Sequence, residues 1–451
     1  MAASPQISST EPDTAPAAIT HPTKPPSCVA CKSTTKKVWT CVQCGHFNFC
    51  DDCWGNERPH KPGVKGIDGR PHEKTDIDVV ERLNHIFHNK RKEDLDWLFA
   101  DDAKTKWFGV DKGSNGLIFT YTDRLTSIMV KTADLDASAA RFPLLVSFVG
   151  RTGGGKSTIL QMLVRQQQAL ASPGSSFSAP VIGLTDDPLP TSADVNLYPD
   201  PTTHHTRYPV LFADCEGLGG GESVPHAKQY QRDASVTERA VEQKLQWAMN
   251  VRTPSRNHTA RTLFPRILHT FSDVVVFVMQ EAKRAETNAL VDVVQWASFS
   301  IEQSTSPRVL PHLIIALNRT DNPEDQEWGP ETATESFHGA CEDITQVPEL
   351  AAITEGLARH GKSIKSSRDL LACFYRTVTV IRVPTKDRYM QLDHQIGELY
   401  HHIQQKSAES YVMKNSAGMA LSSNRLHLLT RSALGHFAED LDQPFDFKLS
   451  I

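Results

Sequence analysis

The stretch that most constrains this 451-residue chain is LLVSFVGRTGGGKSTIL, residues 144–160. An apolar, β-favouring run leads into Gly150, and residues 150–157 match G-x-x-x-x-G-K-[ST] without a mismatch. A strand that turns through glycines into a helix lets backbone N–H groups wrap a phosphate, and the helix N-terminus adds its positive dipole end. The pattern therefore predicts a phosphate-binding loop for a nucleotide.

Each position in this loop has an expected role. Lys156 is expected to reach the β- and γ-phosphates, and Ser157 is expected to ligate Mg²⁺. The backbone and side chains around them should surround the rest of the phosphate chain. The predicted nucleotide-binding residues here are Gly150, Arg151, Thr152, Gly153, Gly154, Gly155, Lys156, Ser157 and Thr158.

Composition limits the class of protein. The hydrophobic share of 39% and the charged share of 22% are typical of a globular chain, and the length predicts about three domains. A net charge of −5 gives no general attraction to nucleic acid or to anionic membranes. No apolar run approaches the ~18 residues that span a bilayer, and the N-terminus lacks the features of a signal peptide. We expect a soluble cytoplasmic protein with neither a transmembrane segment nor a nucleic-acid partner.

The N-terminal region carries a set of metal-binding residue types. Six of the nine cysteines form three Cys-x-x-Cys pairs, and two histidines follow them. In a reducing compartment such pairs bind metal more often than they form disulfides, and eight ligands close two tetrahedral zinc sites. In so short a stretch, zinc would supply much of the folding free energy. The predicted ligands are Cys28, Cys31, Cys41, Cys44, Cys50, Cys53, His60 and His72.

These pairs, with Trp39, Phe47, Phe49 and Trp54 between or beside them, resemble the ZZ-type and related B-box zinc fingers, which interleave their two sites. The resemblance implies one ion on the first and third pairs, and a second ion on the middle pair with His60 and His72. His46 is an alternative last ligand, because the gap before His72 is wide for this kind of finger. Such modules usually bind proteins, so the resemblance also implies an unidentified protein or peptide partner.

A second nucleotide motif follows the loop. Residues 209–213 form a buried-type strand that ends in Asp214-Cys215-Glu216-Gly217. Asp214 is placed to hold Mg²⁺, usually through water, and Gly217 to offer its N–H to the γ-phosphate. In the interval before this strand, Thr191 is predicted to close on Mg²⁺ and the γ-phosphate, with Ser192 in reserve. An ordinary turn hydroxyl is the alternative interpretation for both.

A third motif concerns the base. A strand over residues 313–317 leads into Asn318-Arg319-Thr320-Asp321, which resembles the N-K-x-D guanine signature with Arg in place of Lys. Asp321 would accept both N1–H and the exocyclic amine of guanine, which adenine cannot offer. Arg319 would stack along the base. The motif favours GTP over ATP and leaves an ATPase as the alternative.

The run Asp214-Cys215-Glu216-Gly217-Leu218-Gly219 is similar to the D-T-E-G-L-G run of the guanylate-binding and atlastin-like large GTPases. The resemblance implies a divergent P-loop GTPase that hydrolyses GTP to GDP and phosphate. The internal arginine finger of that family falls at Gly153 here, with Arg151 two residues earlier, and Leu218 replaces a water-orienting Gln. We therefore expect slow intrinsic turnover unless a nucleotide-dependent homodimer or another partner supplies a charge. The predicted catalytic residues are Lys156, Ser157, Thr191, Asp214 and Gly217.

The order of strands and helices predicts an α/β P-loop NTPase fold of the G-domain type, with a mainly parallel sheet flanked by helices. A small N-terminal two-zinc cross-brace finger is expected in addition. A non-catalytic switch or scaffold is the alternative to the enzyme. The predicted segments are a disordered tail (1–26), a zinc finger (27–75), a helical linker with edge strands (76–135), the GTPase domain (136–388) and C-terminal helices (389–451).

Overall fold

The structure is a computed structural model, and its chain forms two compact units, Met1–Ile77 and Asp78–Ile451. The predicted disordered tail lies outside the described residues except for Pro26. The division into five segments remains a prediction. The residues described are 26–66, 70–88, 90–113, 116–131, 140–171, 176–183, 192–218, 225–233, 240–249, 255–280, 285–298, 309–320, 328–341, 344, 347–441, 443 and 445.

The first unit is built on one short hairpin. Strands β1 (Val38–Cys41) and β2 (Phe47–Cys50) pair antiparallel, and helix α1 (Asp51–Trp54) follows directly. A 3₁₀ turn covers Arg58–His60. The buried apolar side chains are few beyond the cysteines, so this unit has little core of its own.

The second unit contains one nine-stranded sheet. Its strand order is β11-β10-β9-β5-β7-β6-β3-β4-β8, with β11 to β7 parallel and the remaining pairs antiparallel. The strands are β3 (Lys106–Gly113), β4 (Gly116–Thr122), β5 (Leu144–Val149), β6 (Val195–Pro199), β7 (Val210–Cys215), β8 (Ala240–Lys244), β9 (Val274–Gln280), β10 (His312–Thr320) and β11 (Val378–Pro384).

The other described helices follow α1 in the chain. They are α2 (Ile77–Phe87), α3 (Lys92–Asp102), α4 (Arg124–Lys131), α5 (Lys156–Leu170), α6 (His226–Asp233), α7 (Gln246–Met249), α8 (Arg256–Phe271), α9 (Ala285–Ser298), α10 (Pro330–Ala340), α11 (Pro348–Arg359), α12 (Ser367–Ala372), α13 (Tyr389–Ser416) and α14 (Ser423–Glu439). Among the described helices, none is both long enough and apolar enough to cross a lipid bilayer.

The central strands are buried on both faces, which explains their unbroken apolar sequences. All six residues of β5 are buried, as are the first six of β9. Helices α5 and α13 pack together on one face, while α8 and α9 pack together on the other. This arrangement brings the carboxyl ends of β5, β7, β9 and β10 to one edge of the sheet.

The predicted fold class is confirmed. The glycine-rich loop joins the central parallel strand β5 to α5, the neighbouring β7 carries the Asp214 motif, and β6 runs antiparallel at its side. This is an α/β P-loop NTPase fold of the G-domain type. Strands β3, β4 and β8 extend the same sheet on the β6 side, so the segment before the phosphate loop is part of the domain's core.

Candidate functional site

The close packing of the phosphate loop on β9 and β10 depends on two of its glycines. Gly150 has φ 141° and Gly155, the N-cap of α5, has φ 92°. A Cβ atom on Gly150 would lie 2.1 Å from the carbonyl oxygen of Val278, and one on Gly155 would lie 2.2 Å from Nδ2 of Asn318. Side chains at these positions would push the loop away from β9 and β10. Glycine therefore allows the loop to sit directly over the ends of the parallel strands.

Lys156 is a buried cation at the mouth of this loop. Its side chain is only 6% exposed, and Nζ donates to the carbonyl oxygen of Arg151 at 3.1 Å. Burial lowers the pKa of Lys156, and the nearby Asp214 carboxylate opposes that shift. A desolvated ammonium is strongly attracted to an anion that can reach it, and a phosphate chain is such an anion.

Three oxygen-bearing side chains meet beside Lys156. Ser157 Oγ donates to Asp214 Oδ2 at 2.8 Å, Ser192 Oγ donates to the same oxygen at 3.3 Å, and the two hydroxyl oxygens are 2.7 Å apart. Burial raises the pKa of Asp214, against the opposing effects of Lys156 and the two serines. Asp214 Oδ1 is buried with no hydrogen-bond partner among the described residues. A hard cation with oxygen ligands, such as Mg²⁺, fits this set of donors.

The segment after β7 is hydrogen-bonded to the phosphate loop. Leu218 N donates to Gly150 O at 3.0 Å, and Thr152 N donates to Leu218 O at 3.0 Å. A Cβ atom on Gly217 would lie 2.5 Å from the Cα atom of Thr152, so this approach also requires glycine. Gly217 thus lies directly against the phosphate loop, and its role towards a γ-phosphate remains a prediction.

Arg151 is held by a helix on the other side of the loop. Its guanidinium donates to both carboxylate oxygens of Asp292 on α9, at 2.5 and 2.7 Å. This bidentate hydrogen bonding raises the pKa of Arg151. Gly153, where the resemblance to large GTPases would place an arginine finger, has φ 78° and open space where a Cβ would stand. Thr158 lies half-buried in the first turn of α5.

The predicted base-binding motif reaches the same edge of the sheet. Asn318 Nδ2 donates to Gly154 O at 3.0 Å, and its Oδ1 accepts from Arg319 N at 3.0 Å. Arg319 is exposed with φ 59°. Asn318 therefore ties the end of β10 to the phosphate loop. Asp321 and Thr191 lie outside the described residues, whereas Ser192, the reserve for Thr191, faces Asp214.

The first group of thiols gathers in the N-terminal unit. One ligand atom from each of its four cysteines lies within 4.8 Å of the others, and Cys31 Sγ is 3.8 Å from Cys50 Sγ. A tetrahedral site with Zn–S bonds of about 2.3 Å has S···S edges of about 3.8 Å. The donor set and this spacing fit a zinc ion. The members are Cys28, Cys31, Cys50 and Cys53.

The second group combines two thiols with two imidazoles. His72 Nδ1 lies 3.3 Å from Cys41 Sγ and 3.2 Å from Cys44 Sγ, and His60 Nε2 lies 3.4 Å from Cys44 Sγ. The His60 ring stacks on Trp54 at 4.0 Å between centroids, which orients it. His46, the alternative ligand, is exposed and is not in the group. Both groupings are those that the zinc-finger resemblance implies, and both could hold zinc.

One group of residues near the candidate nucleotide site has no counterpart in the sequence motifs. Asp194 is fully buried beside Glu216, and Lys106, Asp111 and Lys228 surround its carboxylate. Lys106 and Lys228 are more than 120 positions apart in the chain, so no local pattern connects them. Only the φ of 61° at Asp194 marks it as unusual, and that is a property of the fold.

Comparisons with known proteins give distant matches to GTPase structures. The chain is similar to a tyrosine-to-alanine variant of Aquifex aeolicus Era bound to GDP·AlF4⁻, with 13% identity over 59% of this chain and 57% of that chain, at a TM-score of 0.24. It is similar to the bacterial selenocysteine-specific elongation factor EF-Sec, with 12% identity over 58% and 29%, at 0.23. It is also similar to the signal recognition particle receptor SRb of Chaetomium thermophilum in a GDP–Mg structure, with 10% identity over 56% and 99%, at 0.26.

The chain thus spans 57% of the length of Era and 29% of that of EF-Sec. Neither a protein-family model nor a curated protein sequence matches it. Because these similarities are slight, the fold assignment rests on the strand order and phosphate loop of the chain itself.

Proposed function

We propose that the chain binds GTP with Mg²⁺ and hydrolyses it to GDP and phosphate. The observation that carries the proposal is the buried Asp214 carboxylate, hydrogen-bonded to Ser157 and Ser192 and placed beside the desolvated Lys156. A cation ligand set and a buried ammonium side by side form a site for a metal-bound polyphosphate.

The roles of the chain's own residues follow from their positions. Lys156 neutralises charge on the β- and γ-phosphates, and the loop N–H groups hold the phosphate oxygens. Ser157, Asp214 and Ser192 would hold the magnesium ion, which supplies charge neutralisation on the phosphate oxygens when bound. Thr191 remains a candidate for the Ser192 role. Gly217 would offer its N–H to the γ-phosphate, while water attacks in line with the leaving diphosphate.

We expect the intrinsic rate to be low. Leu218 cannot orient a water molecule, and Arg151 is committed to Asp292 in an ion pair on α9. If a second copy of the chain supplies the missing charge, specific activity should rise with protein concentration. A rate that stays low and constant with concentration would favour a different activating partner.

Asp321 tests the base preference. Replacing it with Asn should weaken GTP binding about 10²-fold, because the amide cannot accept both guanine donors. Competition of XTP against labelled GTP should shift towards xanthine, whose carbonyl oxygen can accept from the new amide. Asp369→Asn, which changes an exposed carboxylate on α12, serves as the matched control. Unchanged nucleotide preference in Asp321→Asn would support an ATPase instead.

For the N-terminal unit we propose two structural zinc ions, one in each group of four ligands, and a protein or peptide partner. Its exposed surface carries Phe47 and Val29, which are 53% and 40% exposed. The cytoplasmic location predicted above is part of this proposal, since free thiol ligands need a reducing compartment.

The second candidate is a non-catalytic nucleotide switch that controls what the zinc-binding unit holds. The absence of a water-orienting side chain at Leu218 favours it. The discriminating experiment measures GTP, GDP and ATP binding to zinc-loaded protein with Mg²⁺, and then phosphate release from the same sample. Guanine binding with release supports the GTPase, guanine binding without release supports the switch, and no preference between bases contradicts both.

A further inference from the structure

Four charged side chains form a cluster next to the candidate magnesium site: Asp194 and Lys228, which are buried, and Lys106 and Asp111, which are half-buried. Lys228 is 3% exposed, and its Nζ donates to Asp194 Oδ2 and, at 2.7 Å, to Asp111 Oδ1. Lys106 Nζ lies 3.1 Å from each of the same two carboxylates. Two cations face two anions, so the loss of either lysine would remove a compensating charge from both carboxylates.

Asp194 links this cluster to the nucleotide site. It stands two residues after Ser192, and its backbone exchanges bonds with Glu216: Asp194 N donates to Glu216 Oε2 at 2.9 Å, and Glu216 N donates to Asp194 O at 2.8 Å. Glu216 lies between Asp214 and Gly217 in the chain. The Asp194 backbone therefore connects the segment that carries Ser192 with the segment between Asp214 and Gly217.

The backbone at Asp194 is held in place by its surroundings. Its φ of 61° is uncommon for a residue other than glycine. A Cβ atom on Gly109 of β3 would lie 2.0 Å from its Cγ, so the missing side chain of Gly109 makes room for the carboxylate. Val110 N donates to Asp194 Oδ1 at 3.1 Å. Strand β3 thus provides both the space and a hydrogen-bond donor for this carboxylate.

Lys228 belongs to α6, which follows the Gly217 segment in the chain. The same helix packs on α3, where the rings of Tyr230 and Phe99 stack at 5.2 Å with an interplanar angle of 9°. Tyr230 also donates a hydrogen bond to Asp96. Both α3 and β3 precede the phosphate loop and follow the zinc-binding unit in the chain. Helix α6 therefore contacts α3 through Tyr230 and β3 through Lys228.

We propose that Lys228 is a positioning residue for the nucleotide site. While α6 is docked, Lys228 holds the Asp194 carboxylate and so keeps Ser192 and Glu216 in the arrangement that accepts a metal-bound triphosphate. The inference rests on the proposed GTP binding and deepens it. Because linkage is reciprocal, the triphosphate should in turn favour docking of α6 on α3 and β3. A diphosphate, which lacks the γ-phosphate, should be much less sensitive.

The test uses the full zinc-loaded chain with Lys228→Met. We expect the affinity for a non-hydrolysable GTP analogue with Mg²⁺ to fall about tenfold, while that for GDP changes less than about twofold. The matched control is Lys414→Met, which breaks another lysine pair with a buried carboxylate. Lys414 lies 2.7 Å from Asp273, just before β9 and at the opposite end of the sheet from the phosphate loop. It should lower the unfolding temperature without changing the ratio of the two affinities.

Tyr230→Ala provides a second route to the same result, because it removes the α3 contact without leaving a buried charge unpaired. Hydrogen exchange in residues 226–233 should slow when the wild type binds the GTP analogue, and this protection should be lost in both variants. An equal loss of GDP and analogue affinity, or the same change of ratio in Lys414→Met, would overturn the proposal. A wild type that binds no guanine nucleotide would refute the proposed function and this inference together, whereas normal binding with an unchanged ratio would refute this inference alone.

Discussion

Replacement of Lys156 by alanine is expected to reduce GTP turnover by about 10²- to 10³-fold. The ammonium is the cation placed to neutralise the transferring phosphate, and at 6% exposure it is largely desolvated; a neutral alanine or water could not supply that charge. Single-turnover phosphate release and equilibrium binding of GTP together would measure the effect. Since burial lowers the pKa of Lys156, the charged form is destabilised in the folded protein without nucleotide. The alanine variant should therefore unfold no earlier than the wild type.

Lost activity with retained stability would distinguish a functional role of Lys156 from a purely structural one. Lys406→Ala is the matched control, because Lys406 is also poorly exposed but pairs with Glu409 on α13. It should keep full GTP turnover. Normal GTP affinity and turnover in Lys156→Ala would sink the proposed function, whereas loss of both activity and fold would show only that the loop needs this side chain for structure.

Removal of zinc is expected to unfold the N-terminal unit completely while leaving nucleotide binding by the second unit intact. The first unit buries few apolar side chains outside its cysteines, and structural zinc contributes on the order of 10 kcal/mol per ion to such modules. Amide signals from residues 26–66 should collapse to random-coil positions on addition of a chelator. GTP binding, measured on the same sample after Mg²⁺ is restored, should persist.

Metal content gives the matched comparison. The wild type should hold two zinc ions per chain, one for each group of ligands. Cys31→Ser and Cys44→Ser, one from each group, should each lower that content. Cys373→Ser, which changes a half-buried thiol outside both groups, should leave it at two. Full signal dispersion in the metal-free chain would contradict a structural role for zinc.

The two units differ in what stabilises them, and this affects how they can be studied. The second unit has an extensive apolar core on the sheet that carries the candidate nucleotide site, including the strands that precede the phosphate loop. A variant that removes residues before the loop would therefore cut into the G domain. Experiments on nucleotide binding should retain α3 and β3, since α6 and Asp194 pack against them.

The contiguous motifs were predictable from sequence because their chemistry is local. The glycine-rich run before Lys156 predicts a loop with residues of positive φ, and Gly153 and Gly155 do adopt positive φ there. The alternation of apolar strands with helical patterns likewise predicted the parallel centre of the sheet, because strands buried on both faces read as unbroken apolar runs. The closely spaced cysteine pairs likewise predicted metal ligands, because ligand spacing is also a local property of the sequence.

The contacts between distant segments were decided only by the tertiary structure. Sequence spacing alone did not bring Ser192 to the phosphate loop, whereas the fold places its hydroxyl 2.7 Å from that of Ser157; Thr191 lies outside the described residues. The fold also pairs Arg151 with Asp292 and buries Asp194 against Lys228. A side chain's partner across the sheet depends on strand order and helix packing, which no short stretch of sequence encodes. The sequence by itself determined the local chemistry of the phosphate loop and the metal ligands, whereas the fold decided which charges are paired, buried and connected to that chemistry.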